Sequence, residues 1–127
     1  MGLPEHGVYT SDDGVQKITI SSTNSSNGQI SGIYESSSSP VGPLSIQSMK
    51  GNYMWVRSQE AGRDGVAPFV IRFFAAQRPD GRPYSIVDIW NGGYQTDDTM
   101  LLSGTRAYVN QEGVVQSISL GTKVFSR

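Results

Sequence analysis

Residues 69–90 of the 127-residue chain read FVIRFFAAQRPDGRPYSIVDIW. The run Phe69–Phe74 is aromatic or β-branched apart from one arginine, which is typical of a strand. Pro79-Asp80-Gly81 then predicts a tight turn, and Tyr84–Trp90 begins a second strand-like run. The stretch therefore predicts a β-hairpin.

Shorter segments on both sides of this hairpin also look like strands, and turn-forming residues separate them. Asp12-Asp13-Gly14 predicts a tight turn, and Asn91-Gly92-Gly93 predicts a bend or bulge. The other predicted strands are Gly7–Thr10, Val15–Ile20, Gln29–Tyr34, Pro43–Gln47, Asn52–Arg57, a strand beginning at Met100, and Val114–Phe125.

About eight strands with short turns and no convincing helix predict an all-β fold, an eight-stranded antiparallel up-and-down β-barrel. Such a barrel is just wide enough to hold one small ligand at an open end. The length predicts a single domain over residues 1–127, with residues 1–6 as a flexible N-terminal tail.

Composition excludes several classes of partner and site. A net charge of −1 gives no basic surface for nucleic acid, and no stretch is suited to a membrane. Without cysteine the chain has neither disulfides nor thiolate metal sites. Residues 1–6 lack the regions of a signal peptide, so the protein is expected to be cytoplasmic, or secreted if a signal was removed.

The sequence offers no catalytic constellation. His6 is the one histidine, and one histidine in a predicted tail builds neither a triad nor a histidine-rich metal site. The acid pairs Asp12-Asp13 and Asp97-Asp98 lie in turn-like contexts, where carboxylates serve local hydrogen bonds. The prediction is a protein without enzymatic activity, catalytic residues, bound metal or cofactor.

Several fragments, read in order, resemble the avidin and streptavidin family of biotin-binding proteins. The most specific is Gly28–Ser36, which reads GQISGIYES. The others are Gly7-Val8-Tyr9 with Asp13-Gly14, Pro43-Leu44-Ser45, Phe69–Phe73, Trp90–Tyr94, Leu101-Leu102 and Gly121–Phe125. They cover nearly the whole chain, apart from an apparent insertion near residues 52–65. The resemblance implies a barrel with a deep pocket at one end, assembled as a homodimer or homotetramer.

The resemblance also implies a set of pocket residues, of which some are retained and others replaced. Tyr34, Ser36 and Trp90 match the family's pocket tyrosine, serine and one of its tryptophans. The replaced positions are Ser11, Val15, Phe73, Asp88, Met100 and Lys123, and Leu102 is predicted to line the same pocket. Lys123 stands where the family has an acceptor for a ureido N–H, and an ammonium group cannot accept a hydrogen bond.

These replacements predict a small-ligand-binding protein whose ligand is biotin or a biotin-like molecule, but without tight biotin binding. An ion pair between Lys123 and Asp88 is one hypothesis, and it would either plug the pocket or recognise an anionic ligand. The alternative is a lectin-like or structural protein-interaction module without a small-molecule ligand. Exposure of Tyr53, Trp55 and Tyr108 would favour that alternative.

Overall fold

The computed structural model describes residues 4–39, 42–55, 69–77, 85–95, 98–109 and 112–127. They form eight strands and a closed barrel in which each strand pairs antiparallel with the next and β8 returns to β1. The strands are β1 (Gly7–Ser11), β2 (Gln16–Thr23), β3 (Gln29–Ser36), β4 (Leu44–Trp55), β5 (Phe69–Gln77), β6 (Ile86–Gln95), β7 (Thr99–Val109) and β8 (Val115–Ser126). The predicted fold class and the predicted hairpin, now β5 and β6, are confirmed.

Side chains alternate between the barrel interior and its outer face, as the pleat of a strand requires. In β7, for example, Met100, Leu102, Gly104 and Arg106 are buried, whereas the residues between them are exposed. The interior is filled by aliphatic and aromatic side chains from all eight strands. Its largest fully buried members include Trp90, Tyr9, Tyr34, Phe73 and Phe125.

Two predictions about strand boundaries are wrong. The predicted segments Pro43–Gln47 and Asn52–Arg57 belong, over their described part, to one strand, β4. A register shift opposite β3 turns both Ile46 and Met49 inward, and this odd spacing interrupts the alternation that the sequence shows.

The predicted bend at Asn91-Gly92-Gly93 is absent, because β6 runs through these residues without a register shift against β5 or β7. Gly92 is required there for another reason. A Cβ atom on it would lie 1.9 Å from the carbonyl oxygen of Leu101. The glycine therefore permits a close approach of two strands rather than a bend.

The predicted turn at Asp12-Asp13-Gly14 is confirmed. Gly14 adopts a φ of 75°, and its N–H donates to the carbonyl of Ser11 over 2.8 Å. The predicted turn at Pro79-Asp80-Gly81 and the greater part of the apparent insertion near residues 52–65 lie outside the described residues.

The two ends of the barrel differ in chemistry. Where β2 begins and β1, β3 and β7 end, polar side chains reach into the interior; we call this the polar end. At the other end, the buried hydroxyl of Tyr9 lies 3.2 Å from that of Tyr94 and donates to the carbonyl of Glu5 over 2.7 Å. The Tyr94 hydroxyl in turn donates to Asp98, which forms an ion pair with Arg127.

These contacts hold Glu5 against the end of the barrel where Tyr9 and Tyr94 lie. His6 approaches Thr23 at the same end. Residues 4–6 of the predicted tail are therefore in contact with the barrel. Burial, and then the hydrogen bond with Tyr94, raises the pKa of Tyr9 well above its usual value. Tyr9 is consequently neutral at physiological pH. No helix in the described ranges is long and apolar enough to cross a membrane.

Candidate ligand site

Buried polar side chains are concentrated at the polar end. Within the described ranges, the polar or charged residues that are buried are Ser11, Gln16, Ser36, Asp88 and Arg106. Each occupies an inward position, in phase with the apolar residues of its own strand. The strands that supply them, β1, β2, β3, β6 and β7, thus direct hydrogen-bonding groups toward one region.

Asp88 and Arg106 form the centre of this site. They are direct partners in the β6–β7 ladder, and their side chains are 0% and 3% exposed. Arg106 donates from Nε to Oδ1 over 2.7 Å and from Nη2 to Oδ2 over 2.8 Å. This bidentate geometry is the strong form of a charge-assisted hydrogen bond. Mainly through these bonds, Asp88 raises the pKa of Arg106, so that the guanidinium stays charged.

Tyr34 and Trp90 extend the pair into the aromatic core. The Tyr34 hydroxyl donates to Asp88 Oδ2 over 2.6 Å, and Trp90 Nε1–H donates to the Tyr34 oxygen over 3.1 Å. Burial, and then the negative charge of Asp88, raises the pKa of Tyr34 above its usual value. The single hydroxyl proton of Tyr34 is therefore retained and already committed to a carboxylate.

The remaining Arg106 donors face the outside of the site. Nη1 donates to the carbonyl of Ser38 over 3.0 Å, and Nη2 reaches Ser36 Oγ at 3.4 Å. Ser36 Oγ itself donates to the same Ser38 carbonyl, and Gln16 Nε2 lies 3.5 Å from Ser36 Oγ. These acceptors are neutral, in contrast to the carboxylate on the inner side of the guanidinium.

Lys123 belongs to the outer rim of the same network. Its Nζ lies 2.6 Å from Asp13 Oδ2 and 2.6 Å from Gln16 Oε1, and 5.8 Å from the centroid of the Trp90 ring. Asp13 also accepts from Ser11 Oγ and from the Val15 N–H. The Lys123 hydrogen bond, supported by those two, lowers the pKa of Asp13 to about 2.

The hypothesis of an ion pair between Lys123 and Asp88 is therefore wrong. Asp88 pairs with Arg106, and Lys123 pairs with Asp13. The Lys123 side chain is mostly buried, with 14% of it exposed. Its carboxylate partner, Asp13, nevertheless belongs to the β1–β2 turn and not to β6. Two separate ion pairs, one deep and one at the rim, replace the single predicted pair.

The other predicted site residues occupy different environments. Phe73, Met100 and Leu102 lie in the apolar core cluster together with Trp90. Ser11 is buried beside the β1–β2 turn, where its Oγ accepts from the Gln16 N–H over 3.0 Å. Val15 is half-buried in that turn. Six of the ten predicted residues therefore take part in the polar network: Ser11, Tyr34, Ser36, Asp88, Trp90 and Lys123. The other four, Val15, Phe73, Met100 and Leu102, are apolar and form no part of it.

Sequence reasoning missed Arg106, Gln16 and the role of Asp13. A signal for Arg106 exists, because period-two alternation counted from Met100 through Leu102 assigns Arg106 to the interior. The same count from Ile18 assigns Gln16 to the interior. The role of Asp13 depends on the fold of the turn, which brings its carboxylate next to β8.

Residues that would favour a lectin-like surface are not uniformly exposed. Tyr53 is 7% exposed and belongs to the core cluster, and Tyr108 is half-buried. The side chain of Trp55 lies outside the description. Within the described part of the chain, no group of three or more His, Asp or Glu residues could hold a metal ion.

Comparison of the barrel with solved structures finds the same overall fold at low sequence identity. The crystal structure of core-bradavidin matches with a TM-score of 0.54 and 20% identity, over 94% of this chain and 96% of that one. The crystal structure of bradavidin matches with a TM-score of 0.54 and 21% identity, over 95% of this chain and 78% of that one. The chain has an avidin-like fold. No protein-family model and no curated protein matches the sequence.

The avidin-like fold confirms the resemblance at the level of architecture, since both matches extend over nearly all of this chain. The chemistry of the site follows from the side chains of this protein. In this avidin-like barrel the interior at the polar end carries a guanidinium–carboxylate pair, and Tyr34 and Trp90 form hydrogen bonds within it.

Proposed function

We propose that this protein is a non-enzymatic small-ligand-binding protein, and that the polar end of its barrel is the binding site. The observation that carries the proposal is the buried Asp88–Arg106 pair with Tyr34 and Trp90 attached to it. Removing two charges from water costs more than their attraction commonly returns, and apolar residues would fill the same space at lower cost. A polar network in the ligand end of an avidin-like barrel is therefore better explained by recognition than by stability.

The hydrogen bonds of this network indicate an anionic ligand. Arg106 Nη1 and Nη2 point toward Ser38 O and Ser36 Oγ, which are neutral acceptors. A carboxylate or similar group would form stronger, charge-assisted bonds with the same donors. Lys123, paired with Asp13 and 14% exposed, places a second cation at the rim of the same network. The ligand would replace Ser38 O and Ser36 Oγ as the acceptor for these Arg106 donors, and the bonds between Arg106 and Asp88 would remain.

The same hydrogen bonds argue against tight binding of biotin. In the resemblance to biotin-binding proteins, Tyr34 would donate to a ureido oxygen, but its proton is held by Asp88. At the rim, Lys123 is a donor where a ureido N–H needs an acceptor. Each unmatched buried polar group costs about 1–3 kcal/mol, and about 1.4 kcal/mol corresponds to a tenfold change in affinity. We therefore expect biotin to bind weakly.

The experiment is calorimetric titration with biotin and with a series of small monocarboxylates, followed by NMR of the indole N–H signals. The signal of Trp90 reports on the network, and a Trp55→Phe variant assigns it. We expect saturable binding of a carboxylate that shifts the Trp90 signal and weakens several-fold in Lys123→Met. Lys17→Gln is the matched control, because it removes one positive charge from an exposed position on β2.

Two results would contradict the proposal in different ways. Nanomolar 1:1 binding of biotin would show that the altered site still accepts a ureido group. If no biotin or carboxylate shifts the Trp90 signal, and Lys123→Met behaves as the wild type, the alternative of a filled structural barrel is favoured. Light scattering on the same samples tests the proposed homodimer or homotetramer.

A further inference from the structure

A second candidate site lies on the outer face of the barrel, away from the polar end. Two grooves cross β3–β6, one of about 520 Å³ and one of about 500 Å³, and they share Asn52 and Arg72 in their walls. Because they share these two residues, the grooves form one continuous surface, which we call the β3–β6 outer face. Three core residues, Ile30, Tyr53 and Ile71, also contribute to the lining.

Strand register arranges the polar groups of this face in a row. Gln29 pairs with Asn52, Asn52 with Arg72, and Arg72 with Asn91, so four hydrogen-bonding side chains follow one another across four strands. Neighbouring strands are about 4.8 Å apart, which is comparable with the repeat of a sugar chain. All four side chains are exposed. Three of them are amides, which can donate to and accept from hydroxyl groups.

A second row carries a cation and an aromatic ring. Ser31 pairs with Lys50, and Lys50 pairs with Phe74. Phe74 is 44% exposed, so its ring is available on the surface. Lys50 Nζ donates to Ser31 Oγ over 3.3 Å, and this partner is neutral.

The charged side chains that line the two grooves, among the residues that the structure describes, are of one sign. The described residues that line the two grooves include Lys50 and Arg72 but no Asp or Glu. The Arg72 guanidinium makes no hydrogen bond or ion pair with any described residue. In a chain of net charge −1, two groove cations without a carboxylate partner among the described residues indicate an anionic ligand.

We propose that the β3–β6 outer face binds an acidic oligosaccharide. Arg72 and Lys50 pair with its carboxylate or sulfate groups, the amides of the row contact its hydroxyls, and the Phe74 ring packs against the apolar face of a sugar. An extended sugar chain fits a shallow groove across several strands better than a compact small molecule does. This site is independent of the polar end and of the function proposed for it.

The test uses an oligogalacturonate hexamer and a heparin-derived hexasaccharide, with maltohexaose as the uncharged comparison. We expect calorimetry to detect saturable, salt-sensitive binding of one acidic probe, and the probe that binds identifies carboxylate or sulfate as the charged group. Arg72→Gln should weaken binding at least fivefold, and Phe74→Thr should weaken it as well. Arg72, Phe74 and the control position are exposed, so folding is preserved, and circular dichroism verifies it.

Lys17→Gln again serves as the matched control, because it removes the same charge from β2. Equal losses for Arg72→Gln and Lys17→Gln would reduce the effect to overall charge and overturn the proposal. Failure of both acidic probes to bind, or equal binding of maltohexaose, would also overturn it. So would a dimer that dissociates in Arg72→Glu, since the face would then be a contact between two copies. Lys123→Met should leave oligosaccharide binding unchanged, which separates this site from the polar end.

Discussion

Asp88 and Arg106 depend on each other more than on any other residue at the polar end. Truncating either one leaves a charge that is almost completely buried, because the side chains are 0% and 3% exposed. We expect Asp88→Leu and Arg106→Met each to lower the free energy of unfolding by about 3–5 kcal/mol. The double variant should lose less than the sum of the two, since it removes both charges together.

Urea unfolding of the four proteins measures this coupling. The exposed Arg127–Asp98 pair offers the control, because both side chains are more than a third exposed. Arg127→Met should cost no more than about 1 kcal/mol. Additive effects of Asp88→Leu and Arg106→Met would show that the two charges are stabilised separately. That result would contradict the bidentate ion pair.

Single residues also show where sequence reasoning stops. Tyr34, Ser36, Asp88 and Trp90 could be placed in the site because a motif resemblance marks them. Arg106 could not, although its alternation phase is inward, because an arginine in a strand is usually exposed. Which cation pairs with Asp88 depends on the register between β6 and β7, and no local pattern fixes that register.

Strands β6, β7 and β8 pack around the Trp90 ring. The missing side chain of Gly104 on β7 allows that strand to lie close to the ring. A Cβ atom on Gly104 would lie 2.6–2.7 Å from three atoms of the Trp90 ring. The Trp90 ring cannot easily move, since its Nε1–H donates to Tyr34 and it forms an edge-to-face contact with Phe125 at 5.0 Å between centroids. Gly104→Ala should therefore destabilise the protein by about 1–3 kcal/mol and shift the Trp90 indole signal.

Unfolding measurements and NMR on Gly104→Ala check this expectation. Thr105→Ala is the control, because Thr105 is the exposed neighbour on the same strand, and it should change stability by only about 0.5 kcal/mol. An unchanged indole signal with full stability in Gly104→Ala would show that the ring has room to move.

At the level of strands, the sequence predicted number and order well and irregularities poorly. Alternation marks a strand wherever it is unbroken, as in β2 and β3. In β4 the inward residues Ile46 and Met49 are three apart, so one strand resembled two. Gly92 was predicted to mark a bend, because a bend and a close approach of two strands both favour glycine in the sequence. The two cases differ only in the position of the neighbouring strand, which the sequence does not show.

The barrel as a whole is closed by its shortest seam. β1 meets β8 at two positions, Thr10 opposite Ser126 and Ser11 opposite Phe125, whereas β6 and β7 pair from Ile86–Tyr108 to Gln95–Thr99. Beside the seam, the Val124 N–H donates to Asp12 Oδ2 over 3.4 Å. A short ladder has few backbone hydrogen bonds to break, so local opening should begin there.

Native-state hydrogen exchange tests this order of opening. Amides of β1 should exchange through an opening of lower free energy than those of β6 and β7, which we expect to exchange only on global unfolding. Asp12→Ala, which removes the side-chain acceptor at the seam, should lower the β1 opening energy by a further ~1 kcal/mol and leave β6 and β7 unchanged. Equal protection of β1 and β6–β7 would mean that the barrel opens as one unit. Ser11 and Asp13 lie beside both the seam and the rim, so separate opening of the seam would loosen the proposed ligand site as well.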